Sequence, residues 1–108
     1  MTHPDTASSP FLKACRGERT DRVPVWILRQ AGRYLPEYRR VRSRFPGFLD
    51  FLANPEAAAE VTLQPPALLG VDAAILFSDI LTVLPPLGLD LAFVEGEGPR
   101  IANPFREG

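Results

Sequence analysis

Two stretches of this chain, Val-Pro-Val-Trp-Ile-Leu at Val23 to Leu28 and Ala-Ala-Ile-Leu-Phe at Ala73 to Phe77, are apolar at every position. An unalternated run of that length suits a strand covered on both faces, as in a parallel sheet, and Pro24 is tolerable near the start of one. Trp26 then reads as core or barrel filling. Both runs reverse at once to polar residues: Arg29-Gln30-Ala31-Gly32-Arg33-Tyr34 after the first, Ser78-Asp79 after the second. Parallel strands joined by a helical crossover form a right-handed unit whose carboxyl-end loops emerge on one side of the sheet. Arg29 and Asp79 are therefore expected on one face of an α/β fold. An ion pair tying two loops together would account for the same spacing, and both readings stay open here. Gly32, between the two arginines, would allow a tight turn or close approach to a ligand.

The intervening sequence supplies the helices. Phe11 to Arg16 reads as a short helix ended by Gly17, with Cys15 as a small core residue. Pro36 fits a first helical turn beside Glu37, and the segment runs to a break at Phe45-Pro46-Gly47. Asn54, Pro55 and Glu56 announce a further helix as cap, first helical position and favourable dipole partner. Pro65 and Pro66 should kink or split it before Gly70 ends it. Ile80 to Leu84 reads as a short helix, and Leu89 to Val94 as a strand turning at Glu95-Gly96-Glu97-Gly98. Those glycines match no phosphate-loop spacing, and two glutamates would repel phosphate. Residues 1–10 carry almost no apolar side chain and read as a flexible tail; His3, inside it, is assigned nothing.

Charge narrows the partner. Of 12 basic residues 11 are arginine, and between Arg29 and Arg44 six arginines face one acid, Glu37. Arginine's planar fork pairs with carboxylate or phosphate through two parallel hydrogen bonds, so this excess points to an anionic small molecule. Arg39, Arg40, Arg42 and Arg44 fall in the helix-like stretch and read first as a solvated face. The formal net charge of -1 argues against a nucleic-acid binder working through bulk positive potential. One cysteine and one histidine make no zinc cluster, so no metal is expected. No apolar run approaches the ~20 residues of a membrane span, and no signal pattern opens the chain, so a cytoplasmic location without membrane contact is expected.

The run Trp26-Ile27-Leu28-Arg29-Gln30-Ala31-Gly32-Arg33-Tyr34-Leu35-Pro36-Glu37-Tyr38 resembles the N-terminal signature of the uroporphyrinogen decarboxylase family. Glu60-Val61-Thr62-Leu63-Gln64-Pro65, Asp72 to Leu81, and Gly96-Glu97-Gly98-Pro99 resemble that family in the same order. The likeness extends from Phe11 to the end; Leu28 stands where the family commonly has methionine, a nearly isosteric exchange. The resemblance implies a (β/α)8 barrel of the TIM type, a homodimer, no metal and no organic cofactor. It also implies a reaction in which four acetate side chains of uroporphyrinogen, a tetrapyrrole polycarboxylate, lose CO2 to give coproporphyrinogen. Carried over position by position, Arg29, Gln30, Ala31, Gly32 and Arg33 would hold substrate carboxylates and Phe48 would contact the macrocycle. Asp79 would accept hydrogen bonds from the pyrrole N–H groups, with Arg29 and Asp79 as the catalytic pair.

A complete barrel of that kind takes ~250 residues, whereas this chain has 108. Residues 11–108 are therefore expected to be the N-terminal segment of such a barrel, exposing apolar strand edges and catalytically silent alone. Two other readings stand beside the enzyme. Corrinoid-linked methyltransferases share the barrel but need zinc-bound thiol activation, for which the residues are lacking. A non-catalytic α/β piece could bind polycarboxylates or complement a split barrel.

Overall fold

A computed structural model describes residues 6–106, so His3 and the first five residues of the expected tail lie outside the described residues. Thr6–Ser8 forms a 3-10 turn, and the first helix, α1 (Pro10–Cys15), starts at Pro10. The Ser9 hydroxyl accepts from the backbone N–H of Leu12 at 3.3 Å, and Pro10 supplies a first helical residue that has no N–H to satisfy. Gly17 at φ 75° ends the helix, as expected from its left-handed preference. Cys15 is exposed, which corrects its reading as a core residue: a six-residue helix with no buried side chain offers no core to join.

α2 (Pro36–Arg42) begins at its proline, carries Glu37 in the first turn and Arg39, Arg40 and Arg42 in the last, and so matches charge to the helix dipole at both ends. It buries Tyr38 and Val41. The one-and-a-half-turn helix α3 (Phe48–Leu52), not foreseen in the sequence, inserts Phe51 with no exposed surface. α4 (Pro55–Leu69) is capped by Asn54, whose side chain accepts from the Ala57 N–H at 2.9 Å, and stops at Gly70 in the left-handed region. Of the kink or split expected at Pro65 and Pro66, the split does not occur, and the helix runs through both prolines. Pro65 is fully buried, so packing of its ring offsets the hydrogen bond its missing N–H cannot make.

The core lies where α2, α3 and α4 meet: Leu35, Tyr38, Val41, Phe51, Ala57 and Val61, with Phe45, Phe48 and Phe77 packed against it. The aromatic rings hold it together through edge-on contacts, Tyr38 to Phe51 at 5.7 Å and Tyr38 to Phe77 at 5.4 Å between centroids. β1 (Leu91–Val94) and β2 (Gly98–Ile101) pair antiparallel with Leu91 opposite Ile101 and Val94 opposite Gly98, the hairpin expected around Glu95 to Gly98. Phe93 fastens this hairpin to α3 by an edge-on contact with Phe48 at 4.8 Å.

The largest correction concerns the two apolar runs. Neither 23–28 nor 73–77 enters a strand ladder, and the hairpin is the only sheet among the described residues. They lie side by side all the same. The Asp72 N–H donates to the Val25 carbonyl at 2.8 Å, and the Asp72 carboxylate accepts from the Val25 N–H at 2.8 Å and from Arg22. Phe77 apart, which packs against the core, the described residues leave most of these runs uncovered: Val23, Leu28 and Leu76 are exposed, and Trp26 is 44% exposed where core filling was expected. A buried strand needs neighbours on both sides, and side chains here supply the ties that such neighbours would make.

Candidate functional site

Between the ends of those two runs and the aromatic core opens a cleft of about 740 Å³. That volume suits an organic ligand of drug size or larger. Arg29, Gln30, Ala31, Gly32, Arg33, Phe48 and Asp79, the seven residues singled out in the sequence, all line it. Tyr34, Tyr38, Arg42, Ser78 and Phe93 line it too. These escaped the sequence reading, although Tyr34, Tyr38 and Arg42 recur every four residues from the loop into α2, the spacing of one helical face.

The Arg29–Arg33 loop is a tight turn in which the strained residue is Arg29, at φ 60°. An L-residue in the left-handed region is uncommon and needs its surroundings to hold it. Gln30 does this. Buried to 3% exposure, it accepts from the Ile27 N–H at 3.0 Å through Oε1 and donates from Nε2 to the Ala73 carbonyl at 2.9 Å. Its own carbonyl accepts a hydrogen bond from the Tyr34 hydroxyl. The amide therefore joins the two runs at the point where ladder bonds are missing, and its oxygen is turned to the backbone. Gly32 shows no left-handed φ, and a Cβ there would meet only ordinary contacts at 3.8 Å, so the turn does not depend on glycine.

Asp79 sits half-buried in extended conformation ahead of the 3-10 turn Ile80–Val83. One carboxylate oxygen, Oδ1, accepts from the Leu81 N–H at 2.8 Å, which fixes the rotamer and leaves Oδ2 for another donor. Among the described residues no ion pair joins Arg29 to Asp79, so the loop-tying alternative is not what the geometry displays. Neither the Arg29 nor the Arg33 guanidinium has a hydrogen-bond or ion-pair partner among the described residues. Arg39 instead donates to the Arg33 carbonyl at 2.6 Å, while Arg40 pairs with Glu37 and Arg44 with Glu60 on the outer surface. Arg42 departs from that solvated face: its guanidinium lies 5.9 Å from the Phe48 ring centre and donates to the Phe45 carbonyl at 3.0 Å.

Three arginines against one carboxylate make the cleft electropositive, with a single anion at its wall and aromatic surface from Tyr38, Phe48, Phe77 and Phe93. Burial pushes the Tyr38 hydroxyl above its ordinary pKa, offset in part by Arg42 and Arg33. Such a site can take an aromatic or pyrrolic body, grip carboxylates through arginine forks, and set one carboxylate against N–H donors or a developing positive charge. Among the described residues no cluster of histidine, cysteine, aspartate and glutamate could hold a metal ion.

A family model described as uroporphyrinogen decarboxylase (URO-D) matches residues 6–108. The uroporphyrinogen decarboxylase of Chloroflexus aggregans is 62% identical over 96 residues, which cover 89% of this chain and 27% of the relative. That of Dichelobacter nodosus is 58% identical over 96 residues, covering 89% and 28%. That of Legionella pneumophila strain Philadelphia 1 is 56% identical over 103 residues, covering 95% and 29%. The chain thus spans little more than a quarter of the length of these curated relatives.

Proposed function

Since the chain belongs to the uroporphyrinogen decarboxylase family, we propose that its cleft takes uroporphyrinogen and contributes Arg29 and Asp79 to the loss of CO2 from the acetate side chains. The observation that carries this is the convergence of Arg29, Arg33 and Asp79 on one aromatic-walled cleft without pairing to one another. A polycarboxylate gains most where arginine forks are not already engaged.

The chemistry follows from the residue types. Loss of CO2 leaves an electron pair on carbon, and without a cofactor the pyrrole must accept it, which it does once protonated at a ring carbon. The protonated ring is cationic. With Oδ1 held by Leu81, the Asp79 carboxylate is preorganised beside that charge, an arrangement worth roughly 3 to 4 kcal/mol in a dry site. Arg29 grips a substrate carboxylate, since a guanidinium stays protonated and is a poor proton donor. Arg33 orients the reacting ring from the same loop, and Phe48 packs against the macrocycle.

We place this activity in a (β/α)8 barrel of which these residues form the first part, homodimeric when complete and located in the cytoplasm. Among the described residues no helix is long and apolar enough to cross a membrane. A second reading is favoured by the exposure of Val23, Trp26, Leu28 and Leu76: the chain binds the polycarboxylate and complements the remainder of a barrel without turning over substrate itself.

Titration of the chain with uroporphyrinogen tests the first step. Arg29→Ala should weaken binding at least tenfold, as expected for one charge-assisted carboxylate contact; equal affinity removes the assignment. CO2 release separates the two readings. In a form that releases CO2, Asp79→Asn should keep binding and lose most turnover, and equal turnover would refute the role given to the carboxylate.

A further inference from the structure

Thr62 neither lines the cleft nor bonds the Asp79 carboxylate, yet it is tied to the run that leads to Asp79. Thr62, half-buried in the middle of α4, donates its hydroxyl proton to the Ala58 carbonyl at 2.7 Å and accepts the Phe77 N–H at 2.8 Å. A threonine folded back on the carbonyl four residues earlier does little for its own helix. Here that bond fixes the hydroxyl rotor, so an oxygen lone pair points out of α4 at the run 73–77. The Phe77 N–H is the last amide of that run and has no ladder partner among the described residues. Its ring is held as well, 5.4 Å from Tyr38 and 5.3 Å from Phe51 between centroids. Phe77 is therefore pinned through backbone and side chain, and only Ser78 separates it from Asp79.

From Asp79 the next tie is immediate, because Oδ1 accepts from Leu81 and the Asp79 carbonyl accepts from the Thr82 hydroxyl at 2.8 Å. A continuous path, α4 to Thr62 to Phe77 to Asp79 to the 3-10 turn, locates the carboxylate relative to the arginine loop. We propose that Thr62 is a positioning residue for Asp79: its hydroxyl stands in for a sheet partner at Phe77 and holds the run at the height that puts the carboxylate at the cleft wall. The link to catalysis rests on the proposed function, but the positional link does not.

The test uses the intact chain, labelled for NMR, without ligand. In the unsubstituted protein the Phe77 amide should exchange with solvent at least about tenfold more slowly than those of Ala74 and Leu76, which have no partner of this kind. Exchange as fast as at those two positions overturns the proposal whether or not any variant folds. Thr62→Val keeps the shape and deletes the hydroxyl; it should raise Phe77 exchange about tenfold and shift the carboxyl carbon resonance of Asp79, leaving that of Asp50 in place. Thr62→Ser restores the hydroxyl and should return both signals. A Thr62→Val protein that frees the Phe77 amide and leaves the Asp79 signal unmoved also overturns the proposal, since the hydroxyl would then be structural only. Adding uroporphyrinogen gives a separate reading: a wild-type Asp79 signal that ignores it sinks the proposed function and leaves the Thr62 link standing.

Discussion

Arg29 carries its guanidinium on a backbone conformation that most residues avoid, φ 60°, at a cost of order 1 kcal/mol. Replacing it with glycine removes head group and strain together. Arg29→Gly should therefore be at least as stable as the wild type in thermal unfolding while losing uroporphyrinogen affinity, whereas Arg29→Ala loses affinity with no gain in stability. Gln30 behaves in the opposite sense. Its amide satisfies the Ile27 N–H and the Ala73 carbonyl, so Gln30→Met should cost about 1 to 3 kcal/mol, measured by chemical denaturation. The apolar-to-polar reversal at Arg29 was enough to locate the loop in the sequence, although the run ahead of it enters no strand ladder. What Gln30 does was not legible, since an amide beside two arginines looks as suited to a ligand as to the backbone. Gly32 shows the same limit from the other side: it would allow a tight turn, and the turn is there, but the left-handed residue in it lies three positions earlier.

Among the elements, those with explicit boundary chemistry were legible: Asn54 and Gly70 bound α4, Gly17 stops α1, and Gly96 and Gly98 turn the hairpin. The two apolar runs were legible as neighbours but not as sheet, because ladder bonds depend on strands that hydropathy cannot supply. Their tie at the leading end is ionic and therefore titrates. Asp72 sits at about 2, below its ordinary 3.8, because the Arg22 guanidinium and then the Val25 N–H favour its charged form. A carboxyl depressed by folding contributes its stability in full above its unfolded pKa and loses it as pH falls through the folded one. The wild-type chain should accordingly lose stability between about pH 4 and pH 2 in an acid titration followed by circular dichroism. Asp72→Asn should be less stable at neutral pH and show a flatter profile over that interval.

At the scale of the whole molecule, surface outweighs core. The chain exposes 8294 Å², against about 6,000 Å² for a compact protein of its mass, and its radius of gyration is 17.7 Å against about 13 Å. The excess includes apolar side chains on the two runs, where relatives more than three times as long have further chain to place against them. Trp26, the only tryptophan, stands in the middle of the first run and reports on that face directly. Its emission should be that of a solvated indole in the isolated chain. On mixing with a polypeptide that spans the rest of a relative's length, such as that from Chloroflexus aggregans, the emission should move to the blue and quenching by iodide should fall. The Arg29 and Asp79 loops need not respond, because Gln30 and Thr62 already hold them from within the chain. An indole that stays solvated after a stable complex has formed would place the partner elsewhere and remove the barrel as the account of these uncovered runs.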